Sequence, residues 1–255
     1  MRNSQPILIV GGTRGTGLLI AQRLLDEGCR VRVLARDPAR AVARLGSATD
    51  VVPGDITKPE TLPAAVRGAR DIIFTAGVRS GRPSHEALIR TTEYDGVVNT
   101  LTAAHAHGFG GRFLYMTSMG VATRSLAGVL LNLYKGNTLV WRRRAEQAIR
   151  ATGLDYTIIR AAFLLNRPGG RHAVKVTQDD LPLAPPHRIA RADVASAFVA
   201  ALHHPGASRT TFEIAWGKGS RREEWNALLG RLKPDAEILT RRAPDRARTQ
   251  GADRF

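Results

Sequence analysis

A short apolar run that ends in a cluster of glycines near the N-terminus constrains this chain more than any other feature. Residues 7–10 are typical of a strand buried on both faces of a parallel sheet, and from Gly15 the apolar residues recur at helical spacing. A strand that turns through glycines into a helix leaves backbone N–H groups unpaired at the positive end of the helix dipole, which predicts a phosphate-binding site. The predicted phosphate-binding residues are Gly11, Gly12, Thr13, Arg14, Gly15, Thr16 and Gly17.

The residues after the next predicted strand, 30–35, indicate which dinucleotide this turn would bind. The strand ends at Arg36 and Asp37. At this point of a dinucleotide fold an acidic residue accepts hydrogen bonds from the ribose of NAD, whereas an arginine pairs with the 2′-phosphate of NADP. Arg36, assisted by Arg14, therefore predicts NADP, and Asp37 keeps NAD as the alternative. The competing interpretation is that both arginines are ordinary surface residues.

Two later strands are predicted to end at the same edge of the sheet as the glycine turn. They cover 71–75 and 113–117, and ligands of open α/β sheets lie beyond the carboxyl ends of the strands. A helix is predicted between them over 85–107. Asn99 is interpreted as a polar residue on the face of this helix, and the alternative is that it supports the active site. The residues predicted to line the cofactor groove from these strand ends are Thr75, Ala76, Gly77 and Thr117.

The order of elements predicts an α/β fold of the Rossmann type, a doubly wound parallel sheet with a small C-terminal substrate-side cap. Residues 1–232 are predicted to form the NAD(P)-binding domain, with substrate-side segments at about 164–190 and 217–232. Residues 233–255 are charged and lack periodicity, which predicts a poorly ordered basic tail. Further helices are predicted at 38–45, 59–67, 132–152, 192–202 and 221–232, and further strands at 51–52, 156–160, 173–176 and 211–214.

Composition excludes several classes of protein. With 255 residues, of which 43% are hydrophobic, the chain can bury one α/β core. A single cysteine, Cys29, allows no internal disulfide and suits a reducing compartment. The apolar runs are too short for a signal peptide or a membrane span, so we expect a cytoplasmic protein. The histidines lack the spacing of a metal site, and no metal is predicted.

The net charge of +16 raises the question of a nucleic-acid partner. Only five of the 38 basic residues are lysines, and the arginines are scattered along the chain except for the run 142–144. Aromatic residues make up 5%, too few for a stacking surface. Nucleic-acid binding is therefore kept only as a minor alternative, and the charge is attributed to residue usage and to phosphorylated or acidic ligands.

Several ordered motifs between residues 6 and 216 resemble one known superfamily. They are VGGTRGTG, VLARDPARA, GDIT, MTSMGV and GLDYTIIR. The chain is similar to the short-chain dehydrogenase/reductase superfamily, in its atypical, NmrA-like branch. The resemblance implies that Asp55 contacts the adenine amino group and that Ile56 packs on the ring. The alternative for Asp55 is a cap on the next helix. The resemblance also implies that Ser118 holds a substrate carbonyl, with a turn-capping serine as the alternative.

The resemblance implies a Tyr-x-x-x-Lys pair on the helix predicted at 132–152, where the tyrosine donates a proton and the lysine holds the ribose. Alignment with the family puts Thr138 and Arg142 at these two places. An alcohol is a far weaker acid than a phenol, whereas Arg142 keeps the positive charge. On one continuous helix Tyr134 would share this face and is the candidate substitute acid, while Lys135 would point about 100° away.

The next family motif also departs from the usual pattern. The family continues the strand at 156–160 with proline and glycine around the nicotinamide, and this chain has Ala161 and Ala162 there. The resemblance implies an NADPH-dependent reductase of a small carbonyl or conjugated acceptor. The alternatives are a non-catalytic NADP(H) sensor or scaffold and, third, a basic protein that binds RNA or phosphorylated ligands. We expect a monomer or a homodimer with a small-molecule substrate.

Overall fold

The computed structural model describes residues 5–78, 85–123, 125–220 and 223–238, and in it strand β1 (Ile7–Val10) lies inside an eight-stranded sheet. Successive side chains of β1 enter two different cores. Ile7 and Ile9 belong to the hydrophobic cluster on one face, and Leu8 and Val10 belong to the cluster on the other. Burial on both faces explains why the strand is an uninterrupted apolar run.

The remaining strands extend the sheet on both sides of β1. Their spatial order is β3-β2-β1-β4-β5-β6-β10-β8, and all neighbouring pairs are parallel except the antiparallel β10–β8 pair. The order reverses between β1 and β4, as it does at the ligand-binding switch point of doubly wound sheets. The predicted Rossmann-type fold is confirmed. The strands are β2 (Val31–Ala35), β3 (Asp50–Pro53), β4 (Asp71–Phe74), β5 (Arg112–Ser118), β6 (Asp155–Ala161), β7 (Phe163–Leu165), β8 (Val174–Thr177), β9 (Arg188–Ala190) and β10 (Thr210–Trp216).

Helices cover both faces of the sheet. Helices α1, α2, α8 and α9 pack on one face, and α3, α5 and α7 pack on the other. Strands β7 and β9 form a separate two-stranded parallel sheet inside the segment predicted as the cap. The helices are α1 (Gly15–Asp26), α2 (Pro38–Leu45), α3 (Pro63–Val66), α4 (Glu86–Arg90), α5 (Gly96–Ala106), α6 (Leu126–Tyr134), α7 (Thr138–Ala151), α8 (Arg191–His203) and α9 (Trp225–Leu229).

The continuous helix predicted over 132–152 is wrong. Helix α6 ends at Tyr134 and α7 begins at Thr138. Between them Gly136 and Asn137 adopt left-handed backbone angles, with φ of 52° and 58°. Glycine and asparagine tolerate this conformation better than other residues do, so the sequence Gly-Asn breaks the helix here.

Two other predicted helices are modified. The segment 59–67 forms a 3₁₀ turn at Pro59–Thr61 and then the short α3, because Pro63 cannot donate a main-chain hydrogen bond and so starts a new helix. The helix predicted over 85–107 is present as α4 and α5. The two are joined by a π-helical turn at Thr91–Asp95, a local irregularity that is frequent at functional sites.

The first residues of the predicted tail, 233–238, contact the domain. Asp235 is buried and accepts hydrogen bonds from the Thr211 main-chain N–H at 2.7 Å and from the Tyr156 hydroxyl at 2.9 Å. These bonds fix residues 233–238 to β6 and β10. The rest of the predicted tail, 239–255, lies outside the described residues, as do residues 79–84 of the polar loop that the sequence predicts at 78–84. Within the described ranges, no helix has the length and apolar character needed to cross a membrane.

Candidate cofactor and active site

The glycine turn between β1 and α1 forms a cradle that side chains would fill. A Cβ atom on Gly17 would lie 2.3 Å from the Gly11 carbonyl oxygen, and one on Gly11 would lie 2.7 Å from the Ala76 nitrogen. Gly11 also has a φ of 91°, which other residues rarely adopt. The turn therefore depends on glycine at both positions, because its main chain packs closely against itself and against the residues that follow β4.

The start of α1 has unused hydrogen-bonding groups. Arg14 lies at the N-cap position in an extended conformation, and its side chain makes no capping bond to the helix. Within the described part of the chain, the buried Thr16 Oγ1 also lacks a hydrogen-bond partner. Free N–H groups at a helix start, beside a glycine cradle, suit a pyrophosphate. The residues present therefore fit the phosphates of NAD(P).

The ribose end of the groove carries arginines on both sides of β1. Arg36 is exposed directly after β2. The Arg14 guanidinium instead donates to the Gly77 carbonyl oxygen at 3.2 Å, beyond β4. Because β2 and β4 flank β1 on opposite sides, these two side chains extend in different directions. Asp37, the competing signal for NAD, accepts a hydrogen bond from the Arg40 main chain at 3.0 Å and caps α2.

Sequence reasoning missed a third arginine at the glycine turn. Arg44 Nη1 donates to the Thr13 carbonyl oxygen at 2.8 Å. The sequence did contain a hint of this basic surface. Arg40 and Arg44 are four residues apart on α2, so both would lie on one face of that helix. Arg44 adds positive charge where phosphate groups are expected.

The adenine end is held together by hydrogen bonds that the sequence only partly indicates. Asp55 Oδ1 accepts from the Thr57 main-chain N–H and hydroxyl, both at 2.9 Å, so this oxygen stabilises the turn after β3. Ile56 is largely buried beside Gly96. Asn99 Nδ2 donates to the Ile56 carbonyl oxygen at 2.9 Å. Asn99 lies on the face of α5, as predicted, but it also anchors this loop, which is closer to the supporting role kept as the alternative.

Strand ends predicted to line the groove are adjacent in the sheet. The Thr75 main-chain N–H donates to the Val10 carbonyl oxygen at 2.8 Å, which fixes the end of β4 beside β1. Ser118 and Ala161 are register partners on β5 and β6. The Ser118 hydroxyl is half-buried and donates to the Met119 carbonyl oxygen at 3.1 Å. Ala161 is buried with its neighbour Ala162, and Thr117 is buried as well.

A buried carboxylate that the sequence reasoning missed lies beside the end of β4, at the predicted reaction end of the groove. Glu93, in the π-helical turn, is 1% exposed. Its Oε2 accepts from Arg142 Nε at 2.9 Å and from the Thr138 hydroxyl, and its Oε1 accepts from Arg142 Nη2 at 3.0 Å. Lys135 Nζ lies 3.7 Å from Glu93 Oε1. We call Glu93, Lys135, Thr138 and Arg142 the Glu93 cluster.

The Glu93 cluster lies at the groove. A Cβ atom on Gly77 would be 3.1 Å from Arg142 Nη2 and 3.4 Å from Glu93 Oε1, so the cluster adjoins the end of β4. Glu93 shares an i, i+4, i+8 spacing with the buried Val97 and Leu101. This spacing would have predicted that its carboxylate points inward.

Burial and pairing set the protonation states of the cluster. Burial alone would raise the pKa of Glu93, but the facing Arg142 and the hydrogen bonds bring it below its usual value. Burial would lower the pKa of Arg142, yet the Glu93 carboxylate raises it. Burial lowers the pKa of Lys135, and Glu93 only partly opposes this effect. The cluster therefore holds an ionised carboxylate between two cations.

Two predictions about α6 and α7 are corrected by this geometry. Thr138 and Arg142 both donate hydrogen bonds to the Glu93 carboxylate. Lys135 does not point away from them, because the helix break turns it toward the same carboxylate. Tyr134 shares no continuous helix face with Thr138 and Arg142, and it is 67% exposed. The catalytic role predicted for Tyr134 assumed one continuous helix, and the structure has a break there.

A second buried charge network lies deeper, beside the end of β6. Arg160 donates to both carboxylate oxygens of Glu146, at 3.1 and 2.7 Å, and to Asp180 at 2.9 Å. Glu213 on β10 accepts from the Leu181 main-chain N–H at 2.9 Å, and its other oxygen is 3.8 Å from Arg160. Burial raises the pKa of Glu213 to about 7.

The predicted cap is fixed to the domain by Asp193 in the first turn of α8. Its two carboxylate oxygens accept from the Gly170 main-chain N–H at 2.8 Å and from Trp216 Nε1 at 2.9 Å. Asp193 is 1% exposed, so these contacts hold the cap segment in place and leave the carboxylate no access to solvent.

Comparison with known proteins agrees with the predicted binding of NAD(P). Residues 11–205 match a family described as NAD(P)H-binding. The chain is similar to sanguinarine reductase from Eschscholzia californica, at 28% identity over 89% of this chain and 95% of that protein. It is also similar to the photosystem II assembly factor Ycf39 from Synechocystis sp., at 26% identity over 83% of this chain and 64% of that protein.

Solved structures share the fold. A putative NAD-dependent epimerase/dehydratase from Bacillus halodurans superposes with a TM-score of 0.74 at 19% identity, covering 89% of this chain and 100% of that one. A short-chain dehydrogenase/reductase from Veillonella parvula in complex with NADP gives a TM-score of 0.65 at 16% identity, covering 85% and 96%. The resemblance predicted from the sequence motifs is confirmed, and the chain belongs to the NAD(P)H-binding family.

Proposed function

We propose that this protein is an NADPH-dependent reductase whose acceptor is conjugated and already electrophilic. Bound NADPH would supply the hydride, as it does in oxidoreductases generally. The glycine turn and the free N–H groups of α1 would hold its phosphates. The chain's own residues would then have to orient the acceptor and stabilise the charge that develops on it.

The Glu93 cluster is the observation that carries the choice of acceptor. The hydroxyl at the place of the usual tyrosine, that of Thr138, is buried and donates to Glu93. A phenol does contact the cluster, since the Tyr115 hydroxyl donates to the Glu93 carbonyl oxygen at 3.4 Å. Tyr115 is 1% exposed and burial raises its pKa, so it is a poor proton donor to a bound molecule. An acceptor that needs no strong acid suits this site.

Two groups are available to stabilise charge on the acceptor. The Ser118 hydroxyl is half-buried at the end of β5 and could exchange its bond to Met119 for one to the acceptor. Lys135 is 20% exposed, more than Arg142 or Glu93, and its lowered pKa favours release of a proton. Ser118 would therefore position the acceptor, and Lys135 would supply positive charge or a proton.

An apolar surface beside this edge favours a hydrophobic acceptor. Helix α6 follows the end of β5 and is tied to the cap segment by Ser125, whose hydroxyl donates to the Leu183 carbonyl oxygen at 2.9 Å. The exposed side chains recur at i, i+3, i+4, i+7 and i+8 and form one stripe. They are Leu126, Val129, Leu130, Leu133 and Tyr134.

The proposed preference for NADPH over NADH rests on Arg36 and Arg44, while Asp37 is occupied as a helix cap. A hydrogen bond to a charged group contributes about 1.5–3 kcal/mol, which corresponds to roughly a ten- to hundredfold preference. Titration calorimetry with both cofactors measures it. Arg36→Glu should abolish or reverse the preference, and equal affinities in the unmodified protein would contradict the assignment.

Turnover of a panel of acceptors with NADPH tests the reductase itself. We expect oxidation of NADPH with conjugated acceptors and little with unactivated ketones, since general acid catalysis contributes about 10²–10⁴-fold. Ser118→Ala should lower this turnover. Ser196→Ala is the matched control, because the Ser196 hydroxyl also bonds a carbonyl oxygen, that of Ala192 at 3.1 Å, but lies within α8. Rapid reduction of simple ketones would overturn the proposal.

The apolar stripe on α6 also supports a second candidate, a cofactor-dependent scaffold. An exposed apolar patch of this kind often contacts another protein, and one similar protein is named an assembly factor. In that case NADPH would bind but no acceptor would be reduced, and neither Ser118→Ala nor Lys135→Met would change cofactor affinity. Any acceptor turned over in a Ser118-dependent manner excludes this candidate as the whole function.

A further inference from the structure

Three side chains that commonly bind metals converge at the edge of the sheet opposite the cofactor groove. Glu27, Cys29 and His203 offer a carboxylate oxygen, a sulfur and an imidazole nitrogen that all lie within 4.8 Å of one another. Glu27 and His203 are exposed and Cys29 is half-buried. A hydrated ion can therefore reach the three groups.

The main chain holds these residues in place. Helix α1 ends in a Schellman motif, in which the Gly28 N–H donates to the Leu25 carbonyl at 2.9 Å and the Cys29 N–H donates to the Leu24 carbonyl at 2.8 Å. His203 is the last residue of α8, which packs against α1 in the same core cluster. The ligands come from distant parts of the sequence, but the elements that carry them are packed together. No spacing pattern in the sequence could have indicated this.

The local field and the donor types favour a zinc ion. The C-terminal ends of α1 and α8 meet here, and the negative ends of helix dipoles favour a cation. A thiolate, an imidazole and a carboxylate are the ligands that Zn²⁺ takes, with bonds of about 2.0–2.3 Å and therefore ligand separations of about 3.5 Å. Small side-chain rotations would bring the three atoms from within 4.8 Å to this separation.

We propose that Glu27, Cys29 and His203 bind Zn²⁺, with water as the fourth ligand. The ion would join the end of α1 to the end of α8. Because α1 begins at the glycine turn, the ion would clamp the helix whose other end faces the cofactor. The site is separate from the reductase proposal and stands or falls independently of it.

Cobalt substitution provides the direct test. We expect one equivalent of Co²⁺ per chain to give the absorption of a thiolate-to-metal transition together with the visible bands of a tetrahedral site. Cys29→Ser should remove the thiolate band. His203→Gln should weaken Zn²⁺ binding at least about tenfold in a competition assay with a chelator, because changes even outside the ligands cost that much. His105→Gln, at an exposed histidine on α5, is the matched control and should bind like the unmodified chain.

Thermal unfolding gives a second readout. With free Zn²⁺ a hundredfold above its dissociation constant, the melting temperature should rise by roughly 5–10 °C in the unmodified chain and in His105→Gln. The rise should be absent in Cys29→Ser and His203→Gln. NADPH binding measured on the same samples verifies that the variants are folded. A cobalt spectrum unaffected by Cys29→Ser, equal zinc affinity in His203→Gln, or one metal per two chains would overturn the single-chain site.

Discussion

The two ends of the cofactor groove are built in different ways. At the phosphate end, main-chain groups of one continuous segment form the site, and glycine is required because there is no room for a side chain. At the reaction end, four side chains from the π-helical turn, the α6–α7 break and α7 meet around one buried carboxylate. The first end therefore leaves no room for added atoms, and the second depends on charge balance.

This difference determines which changes each end can accept. In a main-chain site the secondary structure fixes the positions of the N–H donors, so the donors are in place before the ligand binds. A buried charge cluster must be complete, since removing one partner leaves the others without water and without a counter-charge.

Removing the central carboxylate should have the largest effect. Glu93→Ala leaves Arg142 buried opposite no anion, and breaking a buried pair in this way costs about 3–5 kcal/mol of the free energy of unfolding. Urea denaturation measures the loss. Glu223→Ala is the control, because its ion pair with Arg231 is exposed and should contribute at most about 1 kcal/mol. If the two variants are equally stable, the Glu93 cluster is not the stabilising unit described above.

Glu213 should give the stability of the protein a distinctive pH dependence. Its pKa is raised from 4.5 to about 7 by burial, so the folded state holds a proton that the unfolded state releases. The contribution of Glu213 to stability is then greatest below pH 4.5 and is lost as the pH rises toward 7, with a slope of up to about 1.4 kcal/mol per pH unit and a total of about 3 kcal/mol.

The difference between the unmodified chain and Glu213→Gln isolates this contribution, because the other titrating groups are common to both. The glutamine has no proton to release, so the difference in free energy of unfolding should change between pH 4.5 and 7 and be constant above 7. Parallel pH profiles for the two proteins would show that Glu213 is ionised in the folded state.

An added methyl group should disable the phosphate end. In Gly17→Ala the new Cβ would lie 2.3 Å from the Gly11 carbonyl oxygen, so the turn has to move. Overpacking of this kind costs about 1–3 kcal/mol, and the affinity for NADPH should fall roughly ten- to hundredfold. Gly110→Ala is the matched control, because nothing lies within 4 Å of its Cβ position. Unchanged NADPH affinity in Gly17→Ala would mean that the phosphates bind elsewhere.

The same contrast explains what could be predicted from the sequence. The phosphate end is local, so the glycine turn and the strand that precedes it indicated both the fold and the cofactor. The reaction end is not local. Its organiser, Glu93, was missed because its partners are far away in the sequence, and the role of Lys135 was misjudged because a Gly-Asn break was read as continuous helix. The two interpretations of Asn99 stayed open for the first of these reasons, since its partner, the Ile56 carbonyl, is distant in the sequence.

The smallest effect is expected for Tyr134→Phe. Tyr134 is 67% exposed at the end of α6, outside the Glu93 cluster. Loss of its hydroxyl should therefore change the free energy of unfolding by at most about 0.5 kcal/mol. The turnover with a conjugated acceptor should change by at most about twofold. Steady-state rates for Tyr134→Phe and Ser118→Ala, measured with the same acceptor, make the comparison. A loss of tenfold or more in Tyr134→Phe, together with an unchanged Ser118→Ala, would require α6 to move over the groove when the acceptor binds. The Tyr134 phenol would then donate the proton to the acceptor, and the proton would come from the exposed helix α6 and not from the buried Glu93 cluster.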